Sequence, residues 1–165
     1  MKEQDPLIFE SLEIREKGGL KLSLTPPLAF YADVFDATIT LESLHIDLTF
    51  SVGGNSILLN GKVDAELGLN CARCDAPLTR AYSDTFDEDY PDSVEYIDTR
   101  EVIRETVALL APLKVLCSEA CKGRCPACGI ELNKSSCNCR MGKASPFEAL
   151  KGLNIGKHED TGRKK

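Results

Sequence analysis

The stretch Ser43-Leu44-His45-Ile46-Asp47-Leu48-Thr49-Phe50-Ser51-Val52-Gly53-Gly54-Asn55 decides the fold. Leu44, Ile46, Leu48, Phe50 and Val52 alternate with polar residues, which is the period of a strand with one buried face. Gly53-Gly54-Asn55 supplies a turn in which positive φ is accessible. After the turn, Ile57, Leu59, Gly61, Val63, Ala65, Leu67 and Leu69 keep the same alternation and predict a long antiparallel return strand. That strand runs into Cys71-Ala-Arg-Cys74, and Asp75-Ala-Pro77 turns the chain again. Leu78, Tyr82 and Phe86 then begin a third strand, so the cysteine pair sits at a hairpin tip.

Upstream, Gly18-Gly19 and Pro26-Pro27 break the apolar runs, predicting strands near residues 7–14 and 20–24. Residues 28–31 are apolar without an assigned role. Downstream, seven of the fifteen residues in 84–98 are Asp or Glu, which predicts a surface loop. Asp98-Thr-Arg-Glu101 has the form of a capping box, with Asp98 as N-cap, and opens a helix over 98–110. Val102, Ile103, Thr106, Val107, Leu109 and Leu110 form its apolar face. Pro112 ends it, because a proline ring disfavours helical backbone in the preceding residue. A last helix start, Ser145-Pro146-Phe147-Glu148, precedes a polar tail ending at Lys165.

Six cysteines fall in residues 117–139: Cys117, Cys121, Cys125, Cys128, Cys137 and Cys139. With Cys71 and Cys74 they make eight. This segment has too few large apolar residues to fold on its own core, so covalent or coordinative bonds must hold it. The first thirty residues lack a secretory signal pattern, and no apolar run is long enough to span a bilayer. The expected setting is therefore cytoplasmic, where thiols stay reduced and structural disulfides are disfavoured. Ferredoxin spacings are absent. All-sulfur Zn²⁺ coordination is the expectation, with one or two ions. The simplest division is Cys125, Cys128, Cys137 and Cys139 in one site and Cys71, Cys74, Cys117 and Cys121 in the other. An exchange of the two C-terminal pairs, or one site with spare thiols, satisfies the spacing too.

The net charge of −6 conceals two halves. Residues 1–112 carry 9 Lys and Arg against 21 Asp and Glu, and residues 113–165 carry 11 against 5. The basic end makes nucleic-acid contact through Lys122, Arg124, Lys134, Arg140, Lys143 and Lys151 an expectation. A site of four thiolates around one dication carries about −2 and offsets part of that charge. Catalytic machinery is hard to find. His45 and His158 are the two histidines, and there is no zinc-protease motif, P-loop or nucleophile elbow. Cys125-Pro-Ala-Cys128 has dithiol spacing, but no helical pattern follows it to lower a thiol pKa.

The order of these features resembles the YceD family of bacterial and plastid proteins: the hairpin-tip pair, the acidic stretch, the aspartate-led helix and Pro112. After them come Cys121-Lys-Gly-Arg-Cys125-Pro-Ala-Cys128-Gly129, Leu132-Asn133, Cys137-Asn-Cys139 and Pro146-Phe147. The similarity covers roughly residues 38–153, and Arg124 stands where the family usually has leucine. Some members lack the C-terminal cysteines, so the resemblance does not make metal essential to the family as a whole. The family is implicated in accumulation of large-subunit ribosomal RNA. The resemblance thus implies a non-enzymatic role in ribosome biogenesis, with ribosomal RNA, a pre-ribosomal particle or a basic ribosomal protein as partner. A chaperone or adaptor for such a protein, and a thiol redox enzyme, are the alternatives. A DNA-binding zinc ribbon is a further rival, and the acidic body argues against it.

The expected architecture is α+β and β-rich. Residues 1–112 would form a twisted antiparallel sheet with one packed helix. Residues 113–145 would be a cysteine-rich zinc segment, and 146–165 a short helix and basic tail.

Overall fold

The computed structural model describes residues 7–139. Among them are six strands and two α-helices: β1 (Ile8–Glu10), α1 (Ser11–Glu16), β2 (Gly19–Leu24), β3 (Thr40–Gly53), β4 (Ser56–Asn70), β5 (Pro77–Pro91), β6 (Tyr96–Asp98) and α2 (Arg100–Leu109). A 3₁₀ turn, Leu28–Tyr31, lies between β2 and β3. The main sheet is antiparallel in the order β2-β3-β4-β5, and β1 pairs with β6 in a separate two-stranded ribbon. No helix among the described residues is long and apolar enough to cross a membrane.

The alternating pattern does what its period requires. Leu44, Ile46, Leu48 and Phe50 of β3 are buried together with Ile57, Leu59, Val63, Ala65, Leu67 and Leu69 of β4. Gly54, at φ 56°, makes the turn between the strands. On the same face α2 lays down Ile103, Thr106, Val107 and, just beyond it, Leu110. Burial of each large side chain stabilises the fold by roughly 1.5–3 kcal/mol against exposure.

Residues 84–98 are not a surface loop. β5 continues through the acidic residues to Pro91, paired with β4 from Asn70↔Pro77 to Ser56↔Pro91. The sequence hid this strand because its inward residues repeat every four positions. Leu78, Tyr82, Phe86 and Tyr90 pack on the core. Arg80, Asp84 and Glu88 share their face but reach solvent, because β5 is an edge strand. Charge at an edge also discourages pairing with other chains.

The expected strand over residues 7–14 is likewise shortened. After Glu10 the chain turns into α1, burying Ser11 and Ile14. Only Ser11 and Ile14 carry the helical spacing within these six residues, and the apolar run Leu7-Ile8-Phe9 ahead of them reads as a strand. The N-cap of α2 is Thr99 rather than Asp98. Thr99 is fully buried, and its hydroxyl donates to the Leu7 carbonyl at 2.9 Å, tying the helix start to the N-terminal ribbon. Asp98 accepts the Arg100 backbone N–H at 3.1 Å, one residue off the expected register. The cysteine segment's backbone joins the body where the Ala72 N–H donates to Val115 at 2.9 Å. The expected helix from Ser145 and the tail lie outside the described residues.

Gly61 is buried opposite Phe86, whose ring lies where a β-carbon would stand: a Cβ on Gly61 would come within 2.1 Å of Cζ. Gly61→Val should therefore lower stability by about 1–3 kcal/mol in urea denaturation. Phe86→Ala should recover part of that loss in the double variant, because the two sites share one volume. Strict additivity would show that the ring does not occupy this place.

Candidate metal centre

Each Cys-x-x-Cys pair here is a turn with the same hydrogen bonds. In the hairpin-tip turn, the Cys71 N–H donates to Ala76 at 2.9 Å and the Asp75 N–H donates to Cys71 at 2.8 Å. In Cys125-Pro-Ala-Cys128, the Cys125 N–H donates to Ile130 at 2.9 Å and the Gly129 N–H donates to Cys125 at 2.8 Å. The residue after the second cysteine has positive φ in both turns, 62° at Asp75 and 73° at Gly129. Glycine takes that conformation freely, and aspartate is among the few other residues that tolerate it. The turn aims backbone N–H groups back at the first sulfur.

Among the described residues the eight cysteines form two groups, Cys71 with Cys74, Cys117 and Cys121, and Cys125 with Cys128, Cys137 and Cys139. Within each group all sulfurs lie within 4.8 Å of one another. Cys71 and Cys121 sulfurs are 3.8 Å apart, and those of Cys74 and Cys117 are 3.7 Å apart. These are not disulfides, whose sulfurs bond near 2.05 Å, and all eight cysteines are free. With metal–sulfur bonds of about 2.3 Å, a tetrahedral ion spaces its ligands about 3.8 Å apart. The donor set and spacing therefore fit a thiophilic metal ion in each group. The grouping is the simplest division of the sequence, rather than the exchanged or single-site arrangement.

The electrostatics agree with that fit. Cys71 is drawn down to about 6 by the backbone N–H groups of Cys117, Cys74 and Arg73. Cys125 is drawn down to about 6 by the N–H groups of Cys128 and Ala127. Their neighbours move the other way. Cys117 is pushed up to about 12, first through Cys121 and then Cys74, and Cys139 is pushed up to about 12 through Cys128. Without a cation one thiolate forms at the expense of the next. A bound dication would let all four ionise together.

The hairpin-tip group is braced by side chains that the sequence did not single out for this purpose. Arg73 donates to the carbonyls of Glu119 at 3.2 Å and Cys121 at 2.9 Å. Arg124 donates through Nε to the Cys74 carbonyl at 2.8 Å, and its backbone N–H donates to the Arg73 carbonyl at 3.2 Å. The two arginines thus stitch the hairpin tip to residues 119–124 from opposite sides. Gly123, at φ 75°, lets the two segments approach: a Cβ there would stand 3.0 Å from the Arg73 carbonyl. Asn133 accepts the Lys122 backbone N–H at 2.8 Å and donates through Nδ2 to the Cys121 sulfur at 3.3 Å. No spacing in the sequence signals these contacts, since each joins residues brought together by the cysteines.

The expected nucleic-acid residues are not equivalent. Lys122 is exposed, whereas Lys134 forms an ion pair with Glu131 at 2.8 Å. Arg124 spends its Nε on the Cys74 turn. Arg140, Lys143 and Lys151 lie outside the described residues.

Fold and site together define a class: a β-sheet protein whose longest hairpin ends in a double cysteine-cluster module. A family model described as Large ribosomal RNA subunit accumulation protein YceD matches residues 84–154, which contain six of the eight cysteines. Over that segment the chain is similar to the YceD family. It is 42% identical over 50 residues to the Arabidopsis thaliana protein named "Large ribosomal RNA subunit accumulation protein YCED homolog 1, chloroplastic", covering 30% of this chain and 16% of that one. The Zea mays protein of the same name is 35% identical over 65 residues, 39% of this chain and 22% of that one. An uncharacterized Mycobacterium tuberculosis protein is 30% identical over 106 residues, 54% of this chain and 51% of that one. The chain thus spans about half or less of the length of these relatives. No solved structure matches it.

Asn133→Ala should weaken metal binding at the hairpin-tip group roughly tenfold or more in competition with a chelator, the usual scale for losing a ligand's hydrogen-bond partner. Affinity at the other group should be unchanged. Asn133→Asp keeps an acceptor for Lys122 but loses the donor to sulfur, so it should resemble alanine if the sulfur contact matters.

Proposed function

We propose that this protein is a zinc-binding, non-enzymatic factor that supports accumulation of large-subunit ribosomal RNA. The observation that carries this reading is that the segment matched by the family model contains the whole distal cluster and, with Cys117 and Cys121, half of the hairpin-tip one. The names of the plant relatives supply the process. All-sulfur tetrahedral donor sets with no carboxylate or histidine suit Zn²⁺, which is redox-inert and serves in structural sites. Cys71, Cys74, Cys117 and Cys121 would hold one ion; Cys125, Cys128, Cys137 and Cys139 would hold the second. Each ion would supply cross-linking between chain segments rather than a reactive position, since four sulfurs leave no open coordination site.

The sheet body is acidic and the C-terminal segment basic, which favours RNA contact by the C-terminal segment through Lys122, Lys134, Arg140, Lys143 and Lys151. Arg124 is better assigned to the metal module. The working compartment in bacterial cells would be the cytoplasm, which keeps the thiols reduced. The adaptor reading draws on one observation: Asp84, Asp87, Glu88 and Asp89 stand on an exposed edge strand, ready to meet a basic ribosomal protein. The redox-enzyme reading finds less support, because Cys125 starts a turn rather than a helix.

Depletion should lower mature large-subunit RNA and leave small-subunit RNA nearly unchanged. The charge-reversed variant Lys122→Glu, Arg140→Glu, Lys143→Glu should retain zinc, bind RNA more weakly and show a shallower salt dependence. If it binds RNA normally while Asp87→Lys, Glu88→Lys, Asp89→Lys abolishes capture of a basic ribosomal protein, the adaptor reading replaces RNA contact.

Zinc removal should raise amide exchange across residues 113–139 and at the Cys71–Cys74 turn, while the amides of β3 and β4 stay protected. A structural zinc ion can supply on the order of 10 kcal/mol to a small module, whereas the sheet carries its own core. Loss of protection throughout the sheet on chelation would overturn that separation.

A further inference from the structure

The two cysteine groups differ in what solvent can reach. At the hairpin tip Cys71, Cys74 and Cys121 are buried and Cys117 is half-buried. The Asn133 side chain also donates to Cys121 there, and Arg73 and Arg124 clasp the surrounding backbone. In the distal group Cys125 is buried and Cys137 half-buried, but Cys128 and Cys139 are both exposed. Their sulfurs lie within 4.8 Å of each other. Two exposed, neighbouring sulfurs held as thiolates by a metal are open to electrophiles in a way that the buried group is not.

We propose that the distal cluster is a site of reversible thiol oxidation by hydrogen peroxide, in which Cys128 and Cys139 join as a disulfide and the cluster releases its metal. The inference rests on the zinc reading above. One exposed thiolate attacks a peroxide oxygen; the O–O bond breaks, a sulfenic acid forms and hydroxide leaves. The second exposed thiolate attacks that sulfur; the S–S bond forms, the S–O bond breaks and a second hydroxide leaves. Two protons from solvent convert both hydroxides to water. The two electrons lost by the sulfurs reduce the peroxide. Cys125 and Cys137 remain as two ligands, too few to retain Zn²⁺ in a closed site. The hairpin-tip group keeps its ion, so the sheet stays tied to residues 117–124 while the distal loop is freed. The change returns when an external dithiol reduces the disulfide, being itself oxidised to a disulfide, and zinc rebinds.

The test uses the full chain, purified under reductant and analysed for zinc content, then exposed to hydrogen peroxide. Released zinc is followed with a chromogenic chelator, and cysteine states are mapped by mass spectrometry. The expected result is two zinc ions per chain at the start. One equivalent should leave at least about tenfold faster than the other, as exposure governs thiolate oxidation. A Cys128–Cys139 disulfide should accompany it, reversed by dithiothreitol and zinc. Cys139→Ser should begin with the hairpin-tip ion alone and show no fast release. Two ions lost in step, first oxidation at Cys71, Cys74, Cys117 or Cys121, or irreversible sulfonic acid in place of the disulfide would each overturn the oxidation proposal while leaving the zinc reading intact. Reduced protein that contains no zinc would overturn the zinc reading and this inference with it.

Discussion

Four sulfurs meeting at the end of a β-hairpin are the constraint on which the rest of the C-terminal structure depends. Cys71 and Cys74 belong to the β4–β5 turn, and Cys117 and Cys121 arrive from beyond α2, more than forty positions later in the chain. Their convergence is costly without a cation, because thiolates at van der Waals contact repel and buried thiols resist ionisation. The opposed shifts of Cys71 and Cys117 express that conflict. A dication would resolve it and at the same time close a long loop that contains β5, β6 and α2. Closing long loops is where a cross-link restrains the unfolded chain most.

The sheet carries the complementary share of the stability. β3 and β4 pair over nearly their whole length, and β4 pairs with β5 just as fully. The small residues Gly61 and Ala65 on β4 stand opposite Phe86 and Tyr82 on β5, so the aromatic rings lie over the strand rather than being pushed off it. β4 is thus both the centre of the apolar core and the arm that presents Cys71. A one-residue shift in its register would move every buried residue to the wrong face and move the cysteine pair away from its partners. Core packing therefore aligns the hairpin-tip cysteine cluster without contributing a sulfur to it.

Charge separates the molecule along the same line. The acidic residues concentrate in the body, several of them on the β5 edge, where they also protect an unpaired strand. The basic residues concentrate in the cysteine-rich segment and beyond, but they are not equivalent. Arg73 and Arg124 hold carbonyls around the hairpin-tip cluster, and Lys134 answers Glu131. Lys122, whose side chain is exposed, keeps its charge available to a partner. Arginine's several fixed donors suit it to the bracing role, while lysine's single flexible charge suits a surface that meets phosphate.

The sequence by itself determined the strands whose alternation is strict, the hairpin that places Cys71 and Cys74 at its tip, and the helix ahead of Pro112. These are local patterns with a period of two or near four, and burial of one face follows from the period alone. The sequence also determined that the cysteine-rich segment needs an external bond. It could not determine that β5 runs on through four acidic positions, Asp84, Asp87, Glu88 and Asp89, because an edge strand tolerates charges that a central strand would not. Nor could it show α1, whose six residues are too few for a helical period to stand out. The brace formed by Arg73, Arg124 and Asn133 was decided by tertiary structure alone. Those side chains find their carbonyl and sulfur partners only after the cysteines have drawn two distant segments together, and hydrogen bonds across such distances leave no periodic trace in the chain.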